Sequence, residues 1–233
     1  MDNTKKPELL FLHALPFDGS MWAGQMGLLP GASYAPTLYT LGETVEEWAS
    51  AALKQVEGDR LIVVGCSVGG SCAIEVAVAA PDRVAALVLI GTKAGHRLDP
   101  DLHVSALRTL REHGMEEAWR TYWAPLFSTS ADNRVVAAAK RIALTQSLGA
   151  VARGVTAFHS RQSRTDFLAT FPRPVIVVTG ADDVAPGLET CAAQADAAPR
   201  GHLHVVAGSG HYVPLERAED LNGILRNVVA AAR

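Results

Sequence analysis

The sequence predicts an α/β protein: a mostly parallel central sheet of about six strands, interrupted by an all-helical insertion. Two observations carry this reading. Short apolar runs that do not alternate recur along the chain, each followed by Gly or His, with helix-like stretches between them. Strands buried on both faces read this way, and strands alternating with helices give right-handed parallel connections. The alternation then fails across residues 97–164, where only helical patterns occur.

The first run, residues 9–13 (LLFLH), follows two lysines and so mimics a signal peptide. The apolar stretch 9–15 is only seven residues, contains His13 and lacks a small-x-small cleavage site, so it is read as a strand. Residues 44–56 place Val45, Trp48, Ala49, Ala52, Leu53 and Val56 at helical spacing. The run 61–65 (LIVVG) is the next strand, and 68–80, small and apolar all round, reads as a buried helix. A strand over 84–90 precedes insertion helices over 104–113, 116–123, 133–147 and 150–160. Strands over 174–179 and 203–206, with helices over 188–198 and 218–232, complete the pattern. Residues 1–96 and 165–233 therefore form the core and 97–164 a helical cap.

The 233 residues, 48% apolar and 19% charged, suffice for one self-supporting core and exclude a disordered chain. A formal net charge of −3 gives no electrostatic argument for nucleic acid or an anionic membrane surface. No apolar run reaches the ~18 residues of a membrane helix. Cys66, Cys72 and Cys191 are scattered and form no C-x-x-C pair, which argues against a zinc knuckle and for a reducing compartment. The expectation is a soluble cytoplasmic protein, monomer or homodimer, acting on a small molecule without metal or organic cofactor.

The strand LIVVG runs into Gly65-Cys66-Ser67-Val68-Gly69, and a helix follows. This is G-x-S-x-G in the strand–turn–helix context that gives the string its meaning. The turn forces the serine into a strained conformation, stands its hydroxyl above the sheet edge and aims the Val68 N–H at a developing oxyanion. A glycine-rich turn with an idle serine is the plainer alternative. A serine hydroxyl needs a base. His211, on a glycine-rich loop after the last strand, is the candidate, whereas His202 and His204 lie in or beside that strand. An orienting acid is expected after the strand PVIVVTG. The G-x-x-D spacing favours Asp183, and the short loop to Pro186 leaves Asp182 open. The loop after the first strand offers the Leu15 N–H as a second oxyanion donor, with His13 beside it.

With these residues, the chain resembles the α/β-hydrolase superfamily. The resemblance rests on FLHALP, VGCSVGGSCA, PDRVAALVLIG, PVIVVTGADD and GSGHYVPLERAEDLN, in that order, and covers nearly the whole chain. It is nearest to small capped esterases and lactonases of the 3-oxoadipate enol-lactonase type. It implies the α/β-hydrolase fold with a helical lid, and a Ser67–His211–Asp183 triad cleaving an ester, thioester or lactone through an acyl-enzyme. Three features depart from the pattern. The usual N-terminal hairpin is missing, Ala14 replaces a glycine, and the segment 35–40 (APTLYT) is reduced. The short start, shared with plant methyl esterases and hydroxynitrile lyases, keeps open a lyase using the same Ser–His pair as general base. A non-catalytic ligand receptor is the third reading.

The cap would roof the pocket, and Trp123, Phe127 and Phe158 among its aromatics are pocket candidates, together with His13, which is read as supporting the site rather than carrying a proton. Ten basic residues against six acidic ones give the cap a net +4 over a remainder of −7. An arginine such as Arg141, Arg161 or Arg164 could anchor an anionic substrate. The alternatives are solvation, or an ion pair with Asp166.

Overall fold

The computed structural model describes residues 6–232. Its strands are β1 (Glu8–Leu12), β2 (Ser33–Tyr34), β3 (Leu61–Cys66), β4 (Val84–Ile90), β5 (Val175–Gly180) and β6 (Gly201–Val206). They form one six-stranded sheet in the order β2-β1-β3-β4-β5-β6, every neighbouring pair parallel. In register, Leu12 faces Gly65, Cys66 faces Ile90 and Ile90 faces Val178. The C-terminal ends of β1, β3, β4 and β5 therefore lie side by side, and the loops leaving them converge on one edge.

Strands β3 and β5 are buried along their whole length, as their unbroken Val/Ile/Leu runs require. Two strands differ from expectation. Strand β2 is only two half-buried residues and has no apolar run to betray it. Strand β6 is an edge: His202, His204 and Val205 are exposed, so the expected burial on both faces does not hold there. Pairing on one side only leaves an edge strand's other side open.

Helices α1 (Val45–Leu53) and α2 (Val68–Ala79) pack on each other, and α2 also packs on β3 and β4. Helix α2 is buried over nearly its full length, which its glycines and alanines permit. Between β4 and β5 lie α3 (Pro100–Ala118), a π-helical turn over Trp119–Trp123, α4 (Asn133–Thr145) and α5 (Leu148–Ser160). Helix α3 starts four residues before the expected 104, because the Asp99 side chain caps it by accepting the Leu102 N–H. Gly114, at φ 79° and ψ −176°, breaks it between the two segments read from the sequence. A further short helix, α6 (Thr165–Thr170), was not expected. Before it, Arg164 forks onto Glu75 of α2 at 2.7 and 3.0 Å, rather than pairing with Asp166. Helices α7 (Leu188–Ala197), α8 (Val213–Glu216) and α9 (Ala218–Ala231) complete the chain. No single helix among the described residues is long and apolar enough to cross a membrane.

Candidate active site

Ser67 is the sole non-glycine residue with positive φ among the described residues, at φ 55° and ψ −120°. The left-handed region costs an L-residue of order 1–3 kcal/mol, held here by the surrounding packing. Its backbone is clamped: the N–H donates to the Ile90 carbonyl at 2.9 Å, and its carbonyl accepts from the Gly70 N–H and the Thr92 hydroxyl, each at 3.0 Å. The flanking glycines are steric necessities. A Cβ on Gly65 would lie 2.2 Å from the Gly69 carbonyl oxygen, and one on Gly69 would lie 2.1 Å from that of Leu12. Cys66 beside the elbow is fully buried, and burial, with the charges of Asp183 and Glu216, pushes its thiol far up. It is an inert neighbour of Ser67.

The loop after β5 brings Asp183 to His211. Nδ1 of His211 lies 3.1 Å from each carboxylate oxygen of Asp183, and both residues are buried. Asp183 also accepts the Ala185 N–H at 2.8 Å, which fixes the carboxylate in its turn. Asp182 points elsewhere: its Oδ2 accepts the Ser128 hydroxyl of the cap at 2.5 Å. Gly91, at φ +54°, follows β4 directly beneath the pair. A Cβ there would stand 2.8 Å from His211 Nδ1 and 3.1 Å from Asp183 Oδ2.

Sequence reasoning missed what holds the histidine loop. The Glu216 carboxylate, buried in α8, accepts the backbone N–H groups of Gly210, Tyr212 and Ser128 at 2.9 to 3.2 Å. The His211 N–H donates to the Leu126 carbonyl at 2.8 Å. Loop and cap are thus stitched together on both sides of His211. The Tyr212 hydroxyl donates to the Leu15 carbonyl at 3.2 Å, tying the same loop to the one after β1. An acid five residues after a loop histidine was the only signal for Glu216.

Ser67 and His211 line one cavity of about 320 Å³. Leu15 lines it, together with Leu102, Trp123, Leu126, Val155 and Phe158 from the helical segment between β4 and β5. Two expected pocket residues are absent from that wall. His13 is fully buried, its Nε2 accepting the Leu38 N–H at 2.9 Å while Nδ1 faces the Ala14 carbonyl at 3.0 Å. That arrangement requires a neutral ring, and burial lowers its pKa to about 4. Phe127 packs instead against Trp119 and Tyr212, with ring centroids 5.8 and 4.8 Å away. Val68 opens α2, where the first N–H groups have no helical carbonyl to meet. Among the described residues, no three His, Cys, Asp or Glu side chains gather as a metal-binding set.

The model of the alpha/beta hydrolase family matches residues 9–224. The chain belongs to that family. A pimeloyl-[acyl-carrier protein] methyl ester esterase of Aromatoleum aromaticum is 33% identical over 95 residues, covering 37% of this chain and 38% of that protein. The match thus spans well under half of the curated relative. Among solved structures, the chain is similar to a thermophilic esterase from Thermogutta terrifontis, with TM-score 0.87 and 23% identity over 97% of this chain and 90% of that one. It is also similar to the enol-lactonase from Burkholderia xenovorans LB400, with TM-score 0.83 and 19% identity over 99% and 94% of the two chains. At these identities the likeness is one of fold, and it extends through the cap.

Proposed function

We propose that the protein is a serine hydrolase that cleaves a small ester, thioester or lactone through an acyl-enzyme on Ser67. The observation that carries the reading is the Asp183–His211 pair opening, with the strained Ser67, onto one cavity. With Nδ1 engaged by Asp183, Nε2 of His211 is the nitrogen left to take the Ser67 proton. Ser67 Oγ bonds to the substrate carbonyl carbon, and the carbonyl π pair moves onto oxygen. That oxyanion is met by the Leu15 and Val68 N–H groups, each worth about 3–4 kcal/mol by analogy with measured donors. Collapse expels the alcohol or thiol, which takes the proton from His211. Water, deprotonated by His211, then repeats the sequence on the acyl-enzyme and frees the acid. The names of the relatives, an esterase and an enol-lactonase among them, fit carbonyl–oxygen cleavage. A serine rather than an aspartate at the elbow disfavours alkyl-enzyme chemistry.

The test is a panel of 4-nitrophenyl esters, thioesters and lactones against the wild-type chain and Ser67→Ala. Turnover that the substitution removes supports the proposal. No turnover of any member, or turnover that survives Ser67→Ala, overturns it.

A further inference from the structure

One cation in the molecule sits where charge is costly. Arg161 follows α5, is 5% exposed and lines the same cavity as Ser67 and His211. Of the other arginines of the segment, Arg141 is exposed to solvent and Arg164 is forked onto Glu75. Arg161 has no such partner, and among the described residues no carboxylate forms an ion pair with it. Its guanidinium lies 3.9 Å over the Phe158 ring and donates through Nη1 to the Phe158 carbonyl. Those contacts hold it in place and leave its charge uncompensated. Burial lowers its pKa to about 10, so it remains a cation at neutral pH.

The neighbours do not neutralise it. His159 lines the cavity beside it and stacks on His103 with centroids 4.9 Å apart. Burial, His103 and Arg161 itself lower the His159 pKa to about 4, so that ring is neutral. The His96 ring bonds to the His159 carbonyl. The Asp99 carboxylate, whose charge acts to raise the His159 pKa, caps α3 by accepting the Leu102 N–H and forms no ion pair with Arg161. Lys93, at the exposed mouth, adds to the positive charge. A buried guanidinium without a counter-charge is strongly unfavourable unless a ligand supplies one. A single planar fork in an apolar wall matches a monoanionic carboxylate better than a dianionic phosphate.

We propose that Arg161 is a specificity-determining carboxylate anchor, and that the substrate carries a free carboxylate on the same small molecule as its ester or lactone. The chemical class is the monoester or lactone of a dicarboxylic acid. This rests on the serine-hydrolase reading for its catalytic half, and not for the binding site itself. Hydrolysis of such a monoester consumes water and releases an alcohol, a dicarboxylate and one proton.

The experiment has a kinetic arm and a binding arm. The kinetic arm compares kcat/KM for monomethyl succinate, glutarate and adipate with that for the matching dimethyl esters. The wild-type chain is expected to prefer at least one monoester by tenfold or more. In Arg161→Gln that ratio falls at least tenfold, chiefly through KM, and Arg161→Lys restores part of it. The binding arm is calorimetry of succinate, glutarate and adipate against their diamides, on the wild type and Arg161→Gln. Diacid binding that the substitution removes supports the anchor even where no ester is cleaved, and then only the hydrolase reading falls. Equal efficiency for monoesters and diesters, together with no preference of the wild type for diacid over diamide, overturns the anchor and leaves the hydrolase standing.

Discussion

Asp183 meets His211 symmetrically, both carboxylate oxygens lying 3.1 Å from Nδ1, while its neighbour Asp182 turns away to Ser128. The two adjacent acids therefore have separable roles. Asp183→Asn is expected to lower kcat by about 10⁴-fold, because an amide can donate to the imidazole and hold the wrong tautomer. Asp182→Asn is expected to cost less than about tenfold, since it perturbs a contact to the cap and none to the histidine. Steady-state kinetics on both variants decides, and a larger loss for Asp182→Asn would reverse the assignment.

Gly91 gives a second handle on the same pair. Gly91→Ala combines a left-handed backbone with a Cβ 2.8 Å from His211 Nδ1. The strain of about 1 kcal/mol should lower Tm by about 2–4 °C. The forced shift of the imidazole should lower kcat by at least about tenfold, since a misplacement near 1 Å can cost ~10². A variant with the Tm loss and full kcat would show that the histidine tolerates displacement.

Glu216 is expected to matter through the fold of the histidine loop. Glu216→Ala strands three buried N–H groups, those of Gly210, Tyr212 and Ser128. A buried donor left unmet costs about 1–3 kcal/mol. Urea unfolding should report a loss of at least that size, and Glu216→Gln, which keeps an acceptor oxygen, a smaller one. Equal stability of Glu216→Ala and wild type would remove Glu216 from the account.

His13 predicts an acid-side instability. Its folded pKa, lowered by burial to about 4, lies below the ordinary 6.5. The unfolded chain therefore binds the proton first, and the stability from the neutral ring is fully present above about pH 6.5. It is lost as pH falls toward 4, by about 3 kcal/mol in all. His13→Asn keeps an acceptor for the Leu38 N–H and removes the titration. The difference between the two Tm–pH curves should vanish in slope above pH 6.5 and grow below it. Parallel curves across pH 4–7 would contradict this.

Much of the site was legible because some local sequences admit few conformations. Gly65-Cys66-Ser67-Val68-Gly69 between an apolar strand and a small-residue helix leaves little choice but a left-handed serine at the sheet edge. His211 is marked by its glycine-rich loop after the last strand, and the strand ends by the apolar runs. The choice between Asp182 and Asp183 depends on how one turn closes: the Asp183 N–H bonds to the Gly180 carbonyl and the Asp182 N–H to that of Ser209. Glu216 was illegible, since its cap partner Ser128 is 88 residues away in sequence. His13 and Phe127 lie outside the cavity wall for the same reason. Their partners, Leu38 and Tyr212, come from distant loops. Charge counting found a basic cap, and only burial and pairing separated Arg161 from Arg164.

The proposed mechanism requires that Ser67 become covalently acylated during turnover. Intact-mass spectrometry of the chain, acid-quenched during hydrolysis of a slowly deacylating 4-nitrophenyl ester, tests it directly. The expected result is a mass increase equal to the acyl group less one hydrogen, mapped to the peptide containing Ser67 and absent in Ser67→Ala. Steady turnover with no adduct in any quenched sample, or an adduct that persists in Ser67→Ala, would contradict it.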